Sequence, residues 1–83
     1  MSRYRIAFDP IATRVRADMP ADLRARFDRA LSSLASDPYG RDTTPVSRSE
    51  PDRRQTVAAG CITVYYVGRE IITITIVRIQ PPP

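Results

Sequence analysis

Residues 60–83, GCITVYYVGREIITITIVRIQPPP, restrict the fold more than any other part of the chain. Two runs rich in β-branched and aromatic residues flank Gly68-Arg69, with glycine at the first position, as a type II′ hairpin turn prefers. A shorter run at 53–58 precedes a second turn signal, Ala59-Gly60. The pattern predicts three antiparallel strands at about 53–58, 61–67 and 70–79. Pro81, Pro82 and Pro83 then end the ladder, since proline has no N–H to donate. Two-residue turns place Tyr65 opposite Ile72, Thr63 opposite Ile74 and Cys61 opposite Ile76. Cross-strand partners share a face, so these six point together and form the expected core side. The open side then carries Arg53, Gln55, Val57, Ile62, Val64, Tyr66, Thr73, Thr75 and Val77, with Tyr66 directly opposite Arg53.

The first half of the chain supplies one strand and two helices. Tyr4, Ile6 and Phe8 alternate with Arg3, Arg5 and Ala7, the period of a strand with one buried face. Asp9-Pro10 is a helix start, a capping carboxylate followed by proline at the first helical position. Ile11 and Val15 define the expected buried face of a short helix ending before Pro20. In PADLRARFDRALSSLAS the residues Leu23, Phe27, Ala30, Leu31 and Leu34 recur at helical spacing, and Asp22 and Arg26 are placed for an i, i+4 ion pair. Asp37-Pro38 and Gly40 end this helix. Residues 38–52 read as a long loop with three prolines, carrying Arg41 and Arg48. The expectation is one α+β domain over residues 1–83, ordered β-α-α-β-β-β, with an antiparallel sheet on a helical hairpin and a proline tail at 80–83.

Charge narrows the class of partner. The chain of 83 residues has a net charge of +4, and its thirteen basic residues are all arginine. Arginine grips phosphate or carboxylate with a planar fork of donors, which suits RNA or an acidic protein. A GC-rich genome also accounts for arginine in place of lysine, without removing the positive field. A single cysteine, Cys61, excludes an internal disulfide and reads as a small buried residue. With no histidine and no paired-carboxylate spacing, neither a metal nor another cofactor is expected. No segment reads as a signal peptide or a membrane span, so the cytoplasm is the expected location.

The element order, with YRIAFDPIA, LSSLASDP and RRQTVAAGCITVYYVGREIITITIV, resembles the RelE/ParE superfamily of small bacterial toxins. The resemblance covers nearly the whole chain. It implies the toxin of a type II toxin–antitoxin system, with a cognate antitoxin protein as partner. The RelE-like branch cuts mRNA on the ribosome, whereas the ParE-like branch inhibits DNA gyrase by binding. Two positions depart from the RelE-like pattern. Ile62 stands where the resemblance implies a catalytic arginine, and the chain ends in Gln80 and prolines where a basic residue pair is implied. Arg78 is the basic residue left near the end, and strict alternation turns it away from the open face.

Cleaving RNA through its own 2′-hydroxyl needs a base, charge on the phosphorane and an acid for the leaving oxygen. Arginine supplies charge but is a poor base, its pKa lying above ~12. The acid–base candidates are Tyr65, Tyr66, Asp52, Glu70 and Cys61, of which Tyr66 is best placed. A nuclease reading therefore assigns Arg53, Tyr66 and Arg78 to catalysis and Arg41, Arg48 and Arg54 to RNA binding. The competing reading is a non-catalytic binder on the same fold, ParE-like or a degenerate toxin. A general RNA-binding domain fits less well, because Tyr66 is the only aromatic expected on the open face.

Overall fold

The computed structural model describes residues 3–82; Met1, Ser2 and Pro83 lie outside the described residues. Strand β1 (Arg5–Phe8) leads into helices α1 (Pro10–Ala17) and α2 (Ala21–Ser36). Four strands follow: β2 (Thr44–Ser47), β3 (Glu50–Ala58), β4 (Cys61–Gly68) and β5 (Thr73–Gln80). They form one sheet in the order β1-β5-β4-β3-β2. The expected α+β order holds, with two corrections. The sheet is mixed, because β1 returns to lie parallel to β5 while the other pairs are antiparallel. The stretch 38–52 also holds β2 and the start of β3, a hairpin with Pro45 on the edge strand, where a missing N–H is tolerated.

The helices form as the local chemistry dictates. The Asp9 carboxylate accepts from the Ala12 amide at 2.8 Å, with Pro10 opening α1. Ile11, however, is 70% exposed; the buried side of this segment is Ala12 and Met19, with Val15 packed beside them. Arg24 of α2 donates to the carbonyls of Arg16, Ala17 and Met19 at the open end of α1, groups that helix geometry leaves unpaired. The helices are also joined by Arg16, which donates to Asp28 through two nitrogens. The Asp22–Arg26 pair is not among the three ion pairs of the described residues. Phe27, Leu31 and Leu34 of α2 pack with Ala58, Cys61, Tyr65, Val67, Ile74, Ile76 and Ile79 of the sheet.

The pairing of β4 with β5 differs from the two-residue turn. Residues 69–72 form a four-residue connection, so Gly68 faces Thr73 and Tyr65 faces Ile76. This slides β5 by four residues against the expected register, an even number, and every face from Thr73 to Ile76 is retained. Val77 then bulges: Tyr65 pairs with Ile76, but Val64 pairs with Arg78. One extra residue exchanges the faces beyond it. Ile79 is 5% exposed and joins the core, and Arg78 emerges on the open side. The expectation that Arg78 turns away from that side is overturned by this single residue. The Ala59-Gly60 turn forms as expected, with positive φ at both residues and Ala58 facing Cys61.

Two tyrosines fix the loop that carries the chain from α2 to the sheet. The buried Tyr65 hydroxyl donates to the Pro38 carbonyl at 2.7 Å. The Tyr39 ring contacts the guanidinium groups of Arg54 and Arg69, 5.1 and 5.7 Å from its centre, and its hydroxyl donates to Asp52. Asp52 also accepts from Arg69. Burial, aided by the Asp52 bond, pushes the Tyr39 phenol up to about 12, and the same bond holds Asp52 below the usual carboxylate range.

Tyr65→Phe leaves the Pro38 carbonyl unpaired in a buried place and is expected to cost about 1–3 kcal/mol in denaturant unfolding, whereas Tyr66→Phe stays within about 0.5 kcal/mol. The raised Tyr39 phenol contributes stability that is complete below the ordinary tyrosine pKa of about 10 and is lost as pH rises through about 12. Ultraviolet titration should therefore show a phenol ionising near 12 that is missing from Tyr39→Phe.

Candidate nucleic-acid interface

The side of the sheet away from the helices is a platform of short cross-strand rows. Arg53, Tyr66, Thr75 and Ala7 share one row, and Gln55, Val64 and Arg78 share the next. Val57, Ile62 and Gln80 make the third, beside the Ala59-Gly60 turn. Val64, in the centre, is 6% exposed yet stands outside the helix-side core. Tyr66 is 42% exposed. The structure thus brings Arg53, Tyr66 and Arg78 onto one face in adjacent rows.

Arg53 is the best-defined of the three. Its register opposite Tyr66 follows directly from the tight β3–β4 turn. The guanidinium carbon lies 5.7 Å from the Tyr66 ring centre, a cation–π contact of about 0.5–1 kcal/mol at such a site. Nη1 is 3.9 Å from Oε2 of Glu50, and Nε is buried with no hydrogen-bond partner. Arginine is held here by stacking and a loose ion pair.

The other candidates separate clearly. Arg54 points to the helix side, where it donates to Thr43 Oγ1 at 3.0 and 3.1 Å and to the Thr43 and Pro51 carbonyls at 3.3 Å. Its fork is taken up in fastening the loop. Arg41 lines a cleft of about 420 Å³ between α2 and β3, outside the rows of Arg53, Tyr66 and Arg78. Arg48 is exposed in the β2–β3 turn. Tyr65 and Cys61 are buried on the helix side, and burial raises both groups above their ordinary pKa. Asp52 is occupied by Tyr39 and Arg69, and Glu70 lies in the 69–72 connection.

Two residues that extend or reach this face are hidden in the sequence pattern. Arg5 pairs with Thr73 and extends the platform onto β1, a placement hidden until β1 is known to lie beside β5. Glu50 reaches Arg53 from three residues upstream, although residues three apart on a regular strand face opposite ways. Ile62, 41% exposed, sits opposite Val57, 67% exposed, so the third row carries an exposed apolar pair beside Gln80 and no charge. Among the described residues no group of three or more Asp, Glu, Cys or His side chains is placed to hold a metal ion. No described helix is long and apolar enough to cross a membrane.

No protein-family profile matches the sequence, and no curated protein does. Solved structures do match. The toxin–antitoxin complex RelBE2 from Mycobacterium tuberculosis contains a chain that superposes with a TM-score of 0.82 at 21% identity, over 98% of this chain and 93% of that one. The isolated E. coli RelE toxin gives 0.80 at 18% identity, over 96% and 85%. The archaeal RelE–RelB complex from Pyrococcus horikoshii gives 0.77 at 19% identity, over 96% of each. A likeness this complete at such low identity is a likeness of backbone, and the chain is therefore built on the RelE toxin fold.

Proposed function

We propose that this protein is the toxin of a type II toxin–antitoxin pair, acting in the RelE manner as a ribosome-dependent mRNA endoribonuclease with a rearranged set of arginines. The observation that carries this reading is the shared face of Arg53, Tyr66 and Arg78 on a RelE fold. In-line attack by a 2′-hydroxyl builds negative charge on the phosphorane oxygens. Two guanidinium groups in adjacent rows are suited to that charge, and they supply it as fixed donors at an exposed sheet face. Tyr66 is the phenol beside them and donates a proton to the departing 5′-oxygen. Arg41 and Arg48 act outside the catalytic rows as phosphate contacts on the approach. The +4 charge favours both ribosomal RNA and an acidic antitoxin segment, an antitoxin being the partner in matching toxin–antitoxin complexes such as RelBE2.

A second reading is favoured by one observation, the exposed Val57–Ile62 pair in the third row. An exposed apolar pair suits a protein partner better than a polyanion. On that reading the chain is a ParE-like inhibitor, of DNA gyrase for example, or a degenerate toxin that acts by binding alone.

The two readings part in a reconstituted translation extract in which new mRNA 5′ ends are mapped at ribosome-occupied codons. Wild type is expected to generate such ends. Arg53→Ala and Arg78→Ala should each lower the rate about 100–1000-fold, while Arg29→Ala, on an exposed position of α2, leaves it unchanged. Folded wild-type protein that produces no new ends leaves only the binding reading.

A further inference from the structure

A nuclease without histidine or lysine lacks an obvious proton acceptor, and one carboxylate reaches an arginine of the open face from the start of β3. We propose that Glu50 is the general base of this site, taking the 2′-hydroxyl proton of the nucleotide whose phosphate Arg53 binds. The inference rests on the nuclease reading above and names the one group that reading leaves unassigned.

Three observations converge on Glu50. Of the three ion pairs among the described residues, only Glu50–Arg53 involves an arginine of the open face; the others are Arg16–Asp28 and Arg69–Asp52. The contact is 3.9 Å, and the Glu50 side chain is half exposed, so the pair is loose and a phosphate can take its place on Arg53. Glu50 is also fixed at the start of β3 by its pairing with Ser47 across the β2–β3 hairpin, a position on an ordered element. The Arg53 guanidinium thus has Glu50 as one neighbour and the Tyr66 ring as another, 5.7 Å from its carbon. Carboxylate, guanidinium and phenol in one cluster supply the base, the charge and the acid that the reaction needs.

The step balances without a co-reactant. The 2′-oxygen gives its proton to the Glu50 carboxylate as its bond to phosphorus forms. The bond from phosphorus to the 5′-oxygen breaks, and that oxygen leaves with the Tyr66 hydroxyl proton. The products are a 2′,3′-cyclic phosphate and a 5′-hydroxyl end. Glu50 then releases its proton to water and the Tyr66 phenolate recovers one.

The test separates base from acid by changing the leaving atom. Single-turnover cleavage of ribosome-bound mRNA is measured with an ordinary linkage and with a bridging 5′-phosphorothiolate, whose sulfur leaves without protonation. Glu50→Gln is expected to slow both substrates about 100–10,000-fold, with an unchanged circular-dichroism spectrum and unfolding midpoint. Tyr66→Phe is expected to slow only the oxygen substrate. Asp22→Asn, on an exposed carboxylate of α2, cleaves both at the wild-type rate. A Glu50→Gln variant that cuts as fast as wild type, or faster, overturns the proposal while leaving the nuclease reading intact. So does a defect that disappears with the sulfur leaving group. A wild-type protein that cuts neither substrate overturns both.

Discussion

The pairing of β4 with β5 is the constraint on which the rest of this structure depends. These two strands form the middle of the sheet, between β3 on one side and β1 on the other. Their register sets which residues bury against α2 and which face outward. It sends Ile74, Ile76 and Ile79 into the core, and the Val77 bulge is what allows the third of these to follow the second. Without it, strict alternation buries a guanidinium and exposes an isoleucine. Burying an unpaired charge is far costlier than a local bend in an antiparallel ladder, so the strand bends.

This also marks the limit of what the sequence made legible. The strand positions, the capped first helix and the apolar stripe of α2 follow from local patterns that the tertiary structure keeps. The Gly68-Arg69 turn does not form as expected, because the connection spans four residues and carries Ile72 at a positive φ. The facing of Tyr65, Tyr66, Thr75 and Ile76 survives that error, since an even slide preserves parity. An odd insertion does not, and nothing in VRIQ distinguishes a bulge from a regular strand. Strict alternation, correct for the residues before it, therefore puts Arg78 on the wrong side. β2 is hidden for a different reason: Pro45, a turn and exposed polar residues mask a short edge strand whose support is its partner β3.

The arginines divide into two kinds of work. Arg16, Arg24 and Arg54 are spent on carboxylates and carbonyls within the fold, tying α1 to α2 and the 40–43 loop to β3. Arg53 and Arg78 remain available on the open face, one stacked on Tyr66 and the other set out by the bulge. Adjacent in sequence, Arg53 and Arg54 illustrate the division most clearly: a change of strand face separates a guanidinium on the open face from a loop fastener. Composition alone could not sort them, because the sorting is done by strand parity.

The most direct test of this account is the facing of residues 78 and 79. In a Cys61→Ala background, thiol-labelling rates are compared for Arg78→Cys and Ile79→Cys in native protein, each with its unfolding curve. The bulged strand predicts rapid native-state labelling at 78 and protection at 79 until the protein unfolds. Protection at 78 with rapid labelling at 79 means that the strand alternates regularly, and Arg78 then shares no face with Arg53 and Tyr66.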